Sequence, residues 1–154
     1  MSISYTRLLQ FFQQFGKFYA YQFTLLLEQT GLTMREIHVL LFLANNPDYD
    51  TARDVTLYRG MSKSQVSQAV ELLCAEGLLQ RTPDESDRRM VHLSITREGR
   101  PLAQECQALQ ERCGARLLDG LTPEQVRQLQ ELLDTVLDNG AHLAEEASQC
   151  IKNP

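Results

Sequence analysis

Apolar positions in the first third of the chain recur at helical spacing. Residues 3–30 are predicted as one long helix with an aromatic middle running from Phe11 to Phe23. On a helical wheel Phe11, Phe15, Phe18 and Gln22 lie near one face, and Phe12, Tyr19 and Phe23 near another. A helix apolar on more than one side is covered from more than one side. Its own domain accounts for one cover, and a second subunit or a ligand pocket edged by tyrosine hydroxyls for the other. Gly31 stops this helix. Thr33-Met34-Arg35-Glu36 is a capping box that opens the next, predicted through Ala44 with Ile37, Leu40, Leu41 and Leu43 inward and Val39 and Phe42 adding bulk.

Asn45-Asn46-Pro47-Asp48 breaks the pattern. Asp50 or Thr51 can cap a short helix to about Tyr58, with Ala52, Val55 and Leu57 inward. Gly60-Met61 then turns into Ser62, whose hydroxyl caps a second helix while Gln65 reaches back to complete the box. Val66, Ala69, Val70 and Leu73 form the buried stripe of that helix; Ser64, Gln68 and Glu71 point the other way, flanked by Gln65 and Ser67. A short helix, a glycine turn and a capped second helix make the helix-turn-helix pattern.

Beyond Gly77 the period changes to two. Leu78-Leu79-Gln80-Arg81 can pair antiparallel with Met90–Thr96, where Val91, Leu93 and Ile95 alternate with Met90, His92 and Ser94. Between them lies a polar loop from Thr82 to Arg89, with turn chemistry in Pro83-Asp84-Glu85-Ser86-Asp87 and two arginines, Arg88 and Arg89, at its tip. Thr96 can cap a helix to about Leu118 carrying Leu102, Cys106, Leu109, Cys113 and Leu117. Gly120 ends it, and Thr122-Pro123-Glu124-Gln125 opens a last helix to about Ser148 with Val126, Leu129, Leu133, Val136, Leu137 and Leu143 on one stripe. The predicted fold is mainly α with a small β-hairpin wing: a winged helix-turn-helix over 32–96 within a single domain of 1–154, with helices 3–30 and 97–149 left over for dimerisation. Long amphipathic helices at both chain ends pack most naturally on the same elements of a second copy, as a two-fold homodimer.

The polar chemistry suits double-stranded DNA. Ser and Gln side chains can bond base edges in a major groove, Lys63 beside them suits a phosphate, and Arg53 and Arg59 flank the helix pair. A tip arginine held by a carboxylate, here Arg89 by Asp87, is what a narrow, electronegative minor groove favours. The candidate DNA contacts are Arg53, Ser62, Lys63, Ser64, Gln65, Ser67, Gln68, Arg81, Asp87, Arg88 and Arg89, and the candidate ligand contacts are Phe11, Phe15, Phe18, Tyr19 and His38. An ordinary solvated helix face and a surface ion-paired turn are the plainer readings of the same residues.

The stretch Asp87-Arg88-Arg89-Met90-Val91-His92-Leu93-Ser94-Ile95-Thr96, followed by Glu98-Gly99-Arg100, resembles the wing signature of the MarR family of bacterial winged helix-turn-helix regulators. Ser62-Lys63-Ser64-Gln65-Val66-Ser67 resembles that family's recognition-helix start, and Gly77-Leu78-Leu79-Gln80-Arg81 its helix exit. The resemblance is dense from about Leu32 to Arg100. It implies a dimer on a palindromic operator, usually a repressor, released by a small-molecule effector or by cysteine oxidation. It also marks a departure: many relatives carry Arg where this chain has Gln68, which implies less phosphate charge and a different base preference.

Charge and cysteines refine this picture. The net charge is −5, yet residues 51–100 hold eight Lys or Arg against seven Asp or Glu, while residues 101–154 hold four against nine. The predicted reader is slightly positive and the C-terminal helices acidic, which argues for specific binding through two half-sites rather than strong non-specific binding. Cys74, Cys106, Cys113 and Cys150 form no Cys-x-x-Cys pair, and no His cluster has metal spacing, so no metal or cofactor is expected. Cys106 and Cys113 fall on an apolar stripe; Cys150 is the expected exposed thiol. Peroxide-sensing relatives use a first-helix cysteine, absent here. No nucleophile–base pair or phosphate loop suggests an enzyme. No run is long enough to span a membrane and no signal pattern opens the chain, so a cytoplasmic protein is expected. The competing classes are a redox-controlled repressor and a winged-helix adaptor that binds protein instead of DNA.

Overall fold

The computed structural model describes residues 4–87 and 89–152, with residues 144, 145 and 147–152 described by their backbone alone. Its elements are α1 (Tyr5–Gln22), α2 (Thr24–Thr30), α3 (Met34–Asn45), α4 (Ala52–Arg59), α5 (Lys63–Ala75), β1 (Leu79–Pro83), β2 (Val91–Ile95), α6 (Arg100–Leu117) and α7 (Pro123–Lys152). The chain forms two compact units, one up to Cys113 and one from Gly114.

The helix starts are where the cap chemistry puts them. Thr33 and Glu36 close a reciprocal box before α3, Thr51 and Asp54 before α4, and Ser62 and Gln65 before α5. Each satisfies two amides that a helix end otherwise leaves bare. Thr51 accepts from the amide of Asp54, so it, and not Asp50, is the cap. Gly60 takes φ 70°, the left-handed turn that lets α5 leave α4 at once.

One predicted element divides. In place of a single helix over 3–30, the chain turns at Phe23 (φ −91°, ψ −7°), whose N–H bonds Ala20 three residues back. Phe23 is fully buried there, so the core gains a large aromatic at the expense of helical continuity.

The core of the first unit is built from Phe23, Leu26, Leu32, the α3 residues Ile37, Val39, Leu40, Leu41, Phe42 and Leu43, Val55, the α5 stripe Val66, Ala69, Val70 and Leu73, then Leu79, Leu93, Ala103 and Cys106. The α3 and α5 stripes are therefore as predicted. In α4 only Val55 is buried: Ala52 is exposed and Leu57 is 67% exposed, because eight residues offer just one inward turn. On α6, Leu117 is likewise exposed, while Cys106 and Cys113 are buried as expected.

β1 and β2 form a two-stranded antiparallel sheet in the register Leu79↔Ile95, Arg81↔Leu93, Pro83↔Val91. β1 runs two residues past the predicted Arg81; Pro83 is tolerated because a two-stranded sheet has only edge strands. Leu93 is buried and Ile95 half-buried, whereas Val91 is exposed, so the apolar face of β2 narrows toward the tip. At its other end the hairpin is pinned to the turn that follows α5. The Thr96 hydroxyl donates to the Gly77 carbonyl at 2.6 Å and accepts the Gly99 N–H at 3.0 Å. In the second unit Thr122 and Gln125 close the cap of α7, along which Leu132, Leu133, Val136, Leu137 and Leu143 are exposed. No described helix is long and apolar enough to cross a membrane.

Candidate nucleic-acid interface

α5 is held by its buried stripe with the opposite face in solvent. Ser62 and Gln65 spend their polar groups on each other's backbone: the Ser62 N–H donates to Gln65 Oε1 at 2.9 Å, and the Gln65 N–H to Ser62 Oγ at 3.2 Å. The outward polar surface therefore falls to Lys63, Ser64, Ser67 and Gln68, all exposed. Gln68 is not alone there. Arg35, from the first turn of α3, donates from Nη1 to Gln68 Oε1 at 3.0 Å, and Gln68 Nε2 reaches Ser64 Oγ at 3.5 Å. Arg35 is absent from the sequence-predicted set. Its one sequence signal was a cation in the first turn of a helix otherwise devoted to the core.

A cleft of about 510 Å³ separates α4, α5 and the hairpin. Arg53, Lys63 and Arg81 line it around a floor of Val66, Val70, Val91 and Leu93, with Ser67 beside them. Three cations from three elements are thus brought together although the sequence separates them. Arg53 also lines an adjoining concavity with Arg89, in company with Asp48, Asp50, Asp54 and Asp87.

The hairpin tip is organised by carboxylates. Asp84 Oδ1 accepts the Ser86 N–H at 2.7 Å, the Ser86 hydroxyl at 2.6 Å and the Asp87 N–H at 2.7 Å, while Oδ2 lies 3.0 Å from His92 Nε2. The Ser86 hydroxyl, followed by His92 and the backbone amides, holds the Asp84 carboxyl far below the usual range. His92 Nδ1 meets Asp50 Oδ1 at 2.8 Å, and the two carboxylates, Asp50 foremost, raise the imidazole above its ordinary value. The expected ion pair between Asp87 and the Arg89 guanidinium is not formed among the described residues. Asp87 Oδ1 instead accepts the backbone N–H of Arg89 at 3.0 Å. A short carboxylate two residues before an amide closes an Asx turn more readily than it reaches along an arginine. Arg88 lies outside the described residues.

A second concavity, of about 430 Å³, is lined by Phe12, Phe15, Gly16, Tyr19, His38, Leu41, Phe42, Asn45, Asn46, Arg59 and Gln110. It unites Phe15, Tyr19 and His38 from the predicted ligand set. Phe11 and Phe18 do not line it; each packs on Phe15, at ring distances of 5.9 and 6.2 Å. Burial, then the Arg59 charge, lowers His38 to about 4, so its ring is neutral near pH 7. Burial raises the Tyr19 hydroxyl. Sequence reasoning left out Phe12, although it shares α1 with Phe15 and Tyr19, and missed Arg59 and Gln110, which α4 and α6 bring from far along the chain.

Burial, and then Glu105, pushes the Cys106 thiol up to about 11, which disfavours the reactive thiolate. Cys113 is also buried, Cys74 is half-buried, and the Cys150 side chain lies outside the described residues. Among the described residues no group of three His, Cys, Asp or Glu could hold a metal ion.

Comparisons with known proteins converge. Residues 30–90 match the sequence profile of the MarR family. The chain is 22% identical over 126 residues, 82% of this chain and 83% of the other, to the HTH-type transcriptional regulator BilQ of Clostridium symbiosum. Its fold matches a MarR-family regulator of Listeria monocytogenes in complex with 26mer DNA, with TM-score 0.73 at 16% identity over 90% of this chain and 89% of that one. It also matches BpsR of Bordetella bronchiseptica, in a structure addressing regulation of its DNA binding by 6-hydroxynicotinic acid, with TM-score 0.65 at 22% identity over 90% and 99% of the two chains.

Proposed function

We propose that this chain, whose residues 30–90 match the MarR family profile, works as a homodimeric repressor of that family. A palindromic operator is read by α5 in the major groove and by the hairpin in the flanking minor groove. The observation that carries the reading is the convergence of Arg53, Lys63 and Arg81 around one cleft beside the exposed face of α5, with Arg89 on the adjoining wing surface. Such an arrangement can neutralise phosphates beside a recognition helix while Ser64, Ser67 and Gln68 face base edges. The exposed apolar residues support the dimer. Tyr5, Leu8, Leu9 and Phe12 on α1, and Leu132, Leu133, Val136 and Leu137 on α7, need a cover that a second copy supplies.

The second concavity supports effector control. Aromatic walls from Phe12, Phe15 and Phe42, a neutral His38, the Tyr19 hydroxyl and one cation, Arg59, suit a small aromatic anion. Its occupancy would shift the population of dimers away from the spacing that fits DNA.

The test is a titration of the protein against DNA upstream of its own gene, at two salt concentrations, with unrelated competitor DNA. Saturable binding of one dimer per site that survives competitor and weakens with salt is expected. Binding that competitor removes, or that salt leaves unchanged, would reject the reader and favour a protein-binding adaptor. Small aromatic acids are then expected to release the DNA, and their failure would reject the effector site alone.

A further inference from the structure

We infer that Arg35 is a positioning residue for base recognition: by binding the Gln68 amide oxygen it makes this chain read guanine, rather than adenine, at the base pair Gln68 faces. The inference rests on the DNA-reading role proposed for α5.

An unrestrained glutamine on a recognition helix is an adenine reader. Its carbonyl oxygen accepts from adenine N6 while its amide nitrogen donates to N7, so both ends of the amide must face the base. In this chain both ends are engaged elsewhere. A guanidinium can only donate, so the atom that Arg35 Nη1 meets at 3.0 Å is the oxygen. The nitrogen is turned back along α5 toward Ser64 Oγ at 3.5 Å. The donors these two bonds leave over, on two exposed side chains, are the second amide N–H of Gln68 and the remaining guanidinium N–H groups of Arg35. Guanine presents two neighbouring acceptors, O6 and N7, to such a donor pair, whereas adenine presents an acceptor beside a donor.

Nothing among the described residues diverts Arg35 from this task. The neighbouring carboxylate, Glu36, is buried and bonded to the Thr33 N–H and hydroxyl. Among the described residues Arg35 takes part in no ion pair, and its side chain is exposed. The rival role for the same geometry is a phosphate contact, because phosphate oxygens also accept from two donors. Sequence dependence separates the two.

The experiment selects binding sites from a random duplex DNA pool with the wild-type dimer and with Arg35→Met, Arg35→Ala and Gln68→Met. Circular dichroism and elution volume serve as folding controls. Arg35 is exposed, so neither replacement opens a cavity, and the second keeps the test alive should the first misfold. The expected result is guanine at one position of each half-site for the wild type. Gln68→Met loses that preference and no other. Arg35→Met and Arg35→Ala move it toward adenine, with the guanine-to-adenine ratio falling by about tenfold, the discrimination one good base contact gives. The inference is overturned if the wild type already prefers adenine there, if the Arg35 variants keep guanine, or if they lose affinity equally on all sequences. A wild-type protein that selects no sequence overturns the DNA-reading role itself, which is a different result.

Discussion

His92 Nδ1 lies 2.8 Å from Asp50 Oδ1, so the wing strand is tied by a side chain to the loop that opens α4. The backbone repeats the link, the Leu93 N–H donating to the Asp50 carbonyl at 2.7 Å. The other imidazole nitrogen meets Asp84 at the hairpin turn, so one ring clamps the wing at two points. Only the doubly protonated ring donates to both carboxylates.

This clamp predicts a pH dependence of wing order. His92 is raised in the folded state, so its contribution is complete below its unfolded value, about 6.5, and is lost as pH rises through the higher folded value. Asp84 is lowered, so its contribution is present above its unfolded value and is lost only as pH falls toward the folded one. The clamp is therefore closed in mildly acidic solution and opens as pH rises through the raised value of His92. Amide exchange in β2 is expected to accelerate as pH passes the folded value of His92. In His92→Gln that step should vanish, and in Asp50→Asn an NMR titration should find the imidazole back toward 6.5. A ring that titrates normally in the wild type would refute the clamp.

The cleft cations predict a salt signature. Replacing Arg53, Lys63 or Arg81 singly by Ala should weaken operator binding uniformly across sequences. Each replacement should also reduce the logarithmic salt slope by about 1 for every phosphate it leaves without a cation. Arg89→Ala should weaken binding without altering the protein's elution volume. Unchanged operator affinity in Arg89→Ala would remove the wing from the interface.

Gly99 predicts a steric failure. A Cβ added there would strike the carbonyl of Leu78, which itself accepts the Thr96 N–H at 3.1 Å. Gly99→Ala is expected to destabilise by about 1–3 kcal/mol, the usual cost of overpacking, because backbone and not a flexible side chain must move. Denaturant unfolding measures it, and a neutral substitution would show that the start of α6 can shift freely.

Leu73 and Leu57 predict opposite behaviour from the same substitution. Leu73 is fully buried on α5, so Leu73→Ala should cost about 2–5 kcal/mol. Leu57 is largely exposed on α4, so Leu57→Ala should stay within about 0.5 kcal/mol. A large loss at Leu57 would show that the residue is covered in solution, as a subunit contact.

What the chain determines by itself is whatever depends on near neighbours. The capping boxes before α3 and α5 involve residues three apart, and the buried stripes of the same helices follow from a 3.6-residue period, so these were legible in sequence, whereas before α4 the sequence left Asp50 and Thr51 open as the cap. So was the hairpin, up to the exact end of β1. The break at Phe23 was not: local preference favours an unbroken helix there, and only the core that receives the ring outweighs it. Arg89's expected partner failed for a local reason, since Asp87 finds a backbone amide closer at hand.

The candidate site could be listed from sequence as a set of residues and not as an arrangement. Ser64, Lys63, Gln68 and Arg53 could be named from residue type and helical face. That Gln68 meets Arg35, 33 residues away, and that His92 meets Asp50, 42 residues away, depends on how α3, α4 and the hairpin stack on α5. Hydrogen bonds between exposed side chains carry too little energy to direct that stacking; burial of Ile37, Val55, Val66 and Leu73 directs it. The polar pairs are its consequence, which is why only the tertiary structure decided them.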